Sequence, residues 1–244
     1  MKKIAKLNVD KDAIRYYINS YRDNISKEDR YASFDYCYNY FQAFRKANNI
    51  KGIATIEHLE MSTLQLSNYL ASWGMFRGSG GLLLHSSHVL IPVIECISNL
   101  DMKYWNIDVD NYSTRLDDLV YIYEKIRNSI CFTKPKSKGN LSNVTVVLVT
   151  KILLGVFGNS PAMDEYFMTG ACYSNANHID ASKSIKKVKK IWLGLADYYK
   201  ENSDVINEYS IDTLSFLEND ENFISSKYPK AKLIDMIFFE KGSN

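Results

Sequence analysis

One stretch constrains this chain more than any other: residues 149–167, VTKILLGVFGNSPAMDEYF. It reads as the end of an apolar helix, a tight Gly158-Asn159-Ser160-Pro161 turn, and a new helix start that carries Asp164. The helix itself spans 142–157, with Ser142 or Asn143 as its cap, and is apolar nearly all round. A helix without a polar face has to be enclosed on every side. The pattern therefore places it at the centre of a domain, with other helices wrapped around it.

The rest of the chain supplies those helices. Only four prolines and eleven glycines occur in 244 residues. An all-β chain needs many more turn residues, so the expected class is all-α. Asp12 caps a first helix in which Ile14, Tyr17, Ile18 and Tyr21 share a face. Ser26 and Asp29 open a second, running to Ala47, with the stripe Tyr31, Phe34, Tyr38, Phe41 and Phe44 as core. A helix or broken pair covers 51–72, with Met61, Leu64, Tyr69 and Leu70 inward. Pro92 kinks or divides 82–100, and 101–112 is a polar loop around Trp105. Ser113 or Thr114 caps a helix to Ile130 with Leu116, Leu119, Tyr123 and Ile126 on one face. A basic amphipathic helix over 182–200, then helices over 204–217 and 229–239, complete the chain. A chain of this length folds as one core or as two lobes sharing a cleft. The expectation is a single helical domain over 1–244, with any two lobes joined near 132–140, where three lysines, Pro135 and Gly139 occur without an aliphatic residue.

Charge and motifs exclude several functions. The net charge of +2 does not mark a nucleic-acid binder, yet Lys134, Lys136 and Lys138, and then Lys183, Lys186, Lys187, Lys189 and Lys190, are clustered. Either a phosphate backbone uses these clusters, or the second is the solvated face of its helix. Cys37, Cys96, Cys131 and Cys172 form no CxxC pair, which fits reduced thiols in the cytoplasm rather than a disulfide framework or a zinc ribbon. No run reaches membrane-spanning length, so neither a membrane partner nor a signal peptide is expected. His85 and His88 lie one helical turn apart and His58 follows Glu57, but no third and fourth metal ligand stands at a fixed spacing. No metal and no cofactor are therefore expected; a metal-dependent hydrolase using the three histidines would be recognised by bound zinc or manganese. Neither GxxxxGK[ST] nor GxSxG occurs.

Residues 72–81 hold four of the eleven glycines beside Trp73, Phe76 and Arg77. Such a loop bends sharply or approaches something closely. It is either a phosphate- or base-contacting loop or a plain connection with Trp73 in the core.

The central stretch resembles part of the helix-hairpin-helix DNA glycosylase superfamily. The likeness rests on Thr150-Lys151-Ile152-Leu153 and on Pro161-Ala162-Met163-Asp164, with Lys151 and Asp164 thirteen residues apart, and covers about twenty residues. The family's hairpin carries Gly-x-Gly; here Lys138-Gly139-Asn140 has one glycine, and an alternative register through Gly155 and Gly158 would shift the acid to Asp180. The resemblance implies a two-lobed helical fold, double-stranded DNA as partner and base excision from normal, modified or foreign duplex. It implies Asp164 as the catalytic carboxylate and Lys151 as an amine nucleophile if it faces the cleft. It implies a pocket of Trp73, Phe76 and Tyr166 for the flipped base, and phosphate contacts from Arg77, Lys134, Lys136, Lys138, Gly139, Lys186 and Lys187. Against it stand capping, since an acid in a first helical turn is favoured by the dipole alone, and a non-enzymatic helical protein of a defence or toxin-type system. A basic cleft containing Asp164 would mark the enzyme, and an exposed apolar patch without a cleft would mark the interaction protein.

Overall fold

The computed structural model describes residues 7, 9–77, 81–132, 144–173, 184–217, 223 and 225–243. The helix Val146–Phe157 is enclosed along its whole length. Thr145 caps it, its hydroxyl accepting the Leu148 N–H at 3.2 Å, and all twelve residues of Val146–Phe157 are buried. Gly158 ends it in the left-handed region, at φ 68°.

Among the described residues every regular element is helical: α1 (Lys11–Asp23), α2 (Ala32–Lys46), α3 (Leu59–Ser72), α4 (Ile91–Ser98), α5 (Tyr112–Ser129), α6 (Val146–Phe157), α7 (Glu165–Gly170), α8 (Ile185–Ile206) and α9 (Lys230–Ser243). Short 3-10 turns join several of them, and an isolated β-bridge pairs Asp212 with Lys227. The chain is all-α. No helix of the described residues is long and apolar enough to cross a membrane.

α2, α3 and α5 enclose α6, and α9 packs against α7 and α1. α9 is a second enclosed helix: Ala231 to Glu240 are all buried, charged side chains included. Its N-terminus is capped from a distance, since Asp108 accepts the N–H groups of Lys230 and Ala231, both at 2.8 Å. α7 and α9 approach backbone to backbone, and a Cβ at Gly170 would lie 1.9 Å from the Phe238 carbonyl oxygen.

Several expected details move. Asp10, not Asp12, caps α1, accepting the Ala13 N–H at 2.8 Å. The Ser26 hydroxyl donates to Asp29 instead of accepting a helix N–H, and α2 begins at Ala32. Met61 and Leu64 point outward, because the buried face of α3 runs through Ser62, Thr63, Leu66, Tyr69 and Leu70. Pro92 sits in the first turn of α4, where its missing N–H costs nothing. Trp105 is buried in a 3-10 turn. α8 runs through 204–206, because Val205 and Ile206 stay in the core, and 207–217 is not helical. Side chains of α2 take up the backbone groups of that segment: Asp35 accepts the Leu214 N–H, and the Asn39 amide donates to the Leu214 carbonyl. The proposed caps Ser142 and Asn143 and the linker 133–140 lie outside the described residues.

Gly158→Ala tests the turn that closes α6. A Cβ there would lie 2.5 Å from Pro229 Cγ and 2.9 Å from Tyr38 Cε2, on a backbone that L side chains resist. A loss of about 1–3 kcal/mol is expected in urea unfolding. A wild-type midpoint would show that the turn does not hold this conformation.

Candidate functional site

The turn after α6 is fastened at four points. The Thr150 hydroxyl donates to the Val146 carbonyl at 2.9 Å and accepts the Met163 N–H at 3.0 Å. Trp192 Nε1 donates to Ser160 Oγ at 3.0 Å, and the Tyr112 hydroxyl donates to the Asn159 carbonyl at 2.7 Å. Asp235, from α9, accepts the Ala162 N–H at 2.9 Å. These bonds leave Asp164 as the N-cap of α7, with Oδ1 accepting the Phe167 N–H at 3.1 Å.

Asp164 Oδ2 lies 3.1 Å from Lys151 Nζ, the two side chains being 15% and 5% exposed. The same ammonium donates to the Trp73 carbonyl at 3.3 Å and sits 5.1 Å from the Trp73 ring centroid. A second buried pair stands beside it. Lys232 Nζ is 3.0 Å from Asp235 Oδ2, donates to the Tyr21 hydroxyl at 2.9 Å, and lies over the Tyr21 and Phe34 rings. Burial pushes the Asp235 carboxyl up, Lys232 pulls it back, and the charge on Asp164 raises it again. Burial also holds the Tyr21 and Tyr69 hydroxyls well above their ordinary range, so both stay protonated and uncharged.

Two lysines and two aspartates thus share one apolar shell. At 3.1 Å an ion pair in a medium of effective dielectric ~20 gains roughly 5 kcal/mol, which desolvation of both ions offsets. The cluster is worth little net stability when complete and costs heavily when broken. It encloses a cavity of about 10 Å³, lined by Phe34, Tyr69, Trp73, Lys151, Asp164 and Asp235 among others. That is room for about one water.

Of the expected site residues, the structure brings together Asp164, Lys151 and Trp73. The Trp73 indole is partly exposed, with Lys151 on one side and Arg30, 5.2 Å away, as a second cation. Phe76 is partly buried against the core and does not line the cavity. Tyr166 is 45% exposed, its ring edge-on to Phe239, and is also outside the lining. Arg77 is exposed. Lys186 and Lys187 lie in the first turn of α8, where burial lowers the Lys187 ammonium. Lys134, Lys136, Lys138, Gly139 and Asp180 fall outside the described residues. His58 Nδ1 is 3.0 Å from the Thr55 hydroxyl, the His85 ring tilts against Phe132, and His88 is exposed. Among the described residues no three His, Cys, Asp or Glu side chains are grouped to hold a metal ion.

The patterning of the sequence does not mark Lys232, Asp235 or Asp35 as buried. A signal existed for the first two, a lysine and an aspartate three apart in a run that is otherwise apolar. Sequence reasoning also misses an open groove of about 720 Å³ between α2 and the segment 215–217, lined by Tyr36, Tyr40, Lys46, Gln65, Phe216 and Leu217 among others. Phe216 is 73% and Leu217 59% exposed. Comparison of the chain with protein-family models, with curated proteins and with solved structures returns no match.

Lys151→Met should cost about 3–5 kcal/mol, because it leaves Asp164 buried without its cation. Lys151→Met with Asp164→Leu should cost about 1–3 kcal/mol less than the two single changes summed. Urea unfolding of the four proteins measures this coupling, and strict additivity would show that the pair does not act as a unit.

Proposed function

We propose that this chain is a non-catalytic helical binding module that engages a partner through the groove along α2. The observation that carries this reading is the contrast between the two cavities: about 10 Å³ around Asp164 and about 720 Å³ along α2. The larger value lies in the range of binding pockets, and the smaller one admits no base or sugar. The groove's chemistry narrows the partner. Lys46 is the one charged residue of its described lining, whereas gripping a phosphate backbone takes several cations. Aromatic rings dominate instead, and the apolar surface continues on α3 through Met61, whose sulfur is 3.8 Å from Gln65 Nε2. This composition fits an apolar protein segment.

A second reading is base excision from duplex DNA in a two-lobed, glycosylase-like fold in the cytoplasm. It is favoured by the meeting of Lys151 and Asp164 at 3.1 Å beneath Trp73, an amine, a carboxylate and an aromatic face together. On this reading the cluster opens to admit the base, Asp164 steadies the positive charge that develops on the sugar, and Lys151 is the nucleophile.

A photo-crosslinking residue placed at Gln65 separates the two. In extract of the native cells it should give a discrete protein adduct that Phe216→Glu, on the opposite wall, abolishes. Mass spectrometry of free bases from normal and modified DNA is run in parallel. Release by wild type and not by Asp164→Asn would overturn the binding reading in favour of excision.

A further inference from the structure

The groove along α2 has two unlike rims. One is the segment 215–217, from which Phe216 and Leu217 project into solvent. The other is the outer face of α3, where Gln65 lines the groove and Met61 and Leu64 beside it are exposed. Both rims are apolar. The polar atoms between them are already used inside the chain. The Tyr36 hydroxyl donates to the Lys27 carbonyl at 2.9 Å, and the Tyr40 hydroxyl is bonded to Ser62 Oγ at 2.8 Å. Asn39 donates to the Leu214 carbonyl at 2.9 Å and accepts the Thr213 hydroxyl at 2.6 Å. An occupant is therefore offered shape and apolar contact with few hydrogen bonds. That is the make-up of a contact between copies of one chain more than of a contact between unlike chains.

The charges beside the groove have a sidedness of their own. Phe44 meets the His58 ring at 5.1 Å, Tyr40 reaches Ser62, and Phe34 meets the Tyr69 ring at 6.4 Å, so α3 runs back along α2. The N-terminus of α3 thus lies beside the C-terminal end of α2. At that end Lys46 stands on the side of the 215–217 rim, donating to the Ser225 carbonyl at 2.9 Å. Glu57 and Glu60, both exposed, stand on the α3 side.

We infer that the occupant of the groove is a second copy of this chain, held across a two-fold axis that runs along α2. The inference rests on the binding reading of the groove and names its partner. Rotation about such an axis lays each rim over the opposite rim of the other copy. Phe216 and Leu217 of one chain pack on Met61 and Leu64 of the other, and the reciprocal contact forms at the same time. The same rotation sets Lys46 of each copy over Glu57 and Glu60 of the other, so opposite charges meet and the two lysines stay apart. One patch supplies both surfaces of the contact, as a two-fold interface requires.

Sedimentation equilibrium of the purified chain tests this without an extract. The expected result is a reversible dimer with twice the mass of one chain. Phe216→Glu on one rim and Leu64→Glu on the other should each weaken it about a hundredfold, because each places two carboxylates in the contact, one per copy. Leu64 is exposed on its helix, so its variant serves if Phe216→Glu disturbs the opposite rim. Lys46→Glu should weaken the dimer about tenfold, and adding Glu60→Lys should restore most of that loss, which damage to the fold would not allow. A single-chain mass throughout a concentration series would overturn the inference, as would a dimer that survives both rim substitutions. The photo-crosslinking residue at Gln65 separates this failure from that of the binding reading. An adduct of two chains in purified protein supports the dimer. An adduct formed only in extract would replace the second copy by a different protein and leave the binding reading standing, and no adduct in either would remove both.

Discussion

Two helices, α6 and α9, are enclosed along most of their length, and the charges they bury have to find partners inside. That constraint organises the structure. Lys151 on α6 is met by Asp164 at the start of α7, and Lys232 and Asp235 on α9 meet each other. Asp235 then reaches the Ala162 N–H, so the turn after α6 and the body of α9 are joined by one carboxylate. Aromatic rings from α1, α2 and α3 close the shell: Tyr21, Phe34 and Tyr69. Breaking any one ion would leave its partner buried alone, which costs several kcal/mol.

How much of this was legible in the sequence varies by element. The burial of α6 was readable because Val146–Phe157 has no polar side beyond Thr150 and Lys151. The turn was readable from Gly158 and Pro161, and the separation of Lys151 and Asp164 placed them on either side of it. The burial of α9 was not, since its lysines, aspartate and glutamate look like a solvated face until the partners Tyr21 and Ser20 are known. Nor was the irregular course of 207–217, whose backbone bonds go to Asp35 and Asn39 some 175 residues earlier. A local pattern carries no record of a partner that distant. The outward turn of Met61 and Leu64 has the same origin, because two faces of α3 are apolar and packing chose between them.

The same buried charges account for the division between the two cavities. Pairing inside a shell that closes to about 10 Å³ leaves Asp164 employed as a helix cap and ion-pair partner. The groove beside α2 owes its form to the polar fastening of 213–214, which turns the chain so that Phe216 and Leu217 project outward. An exposed phenylalanine and leucine on a wall held by buried polar bonds is a surface that gains from being covered. The stability of the core and the exposure of the groove are thus consequences of one principle, that buried polar groups are satisfied first and apolar surface is arranged around them.

Lys151 and Lys232 are shielded from solvent in the folded chain. Brief acylation of the native protein with an amine-reactive reagent, followed by peptide mass spectrometry, tests it directly. Exposed lysines such as Lys186 should be modified readily, while Lys151 and Lys232 remain unmodified until the chain unfolds. Modification of Lys151 at a rate near that of Lys186 would contradict the account, because it would mean that the cavity beside Asp164 opens to solvent and that its amine and carboxylate stand ready for a substrate.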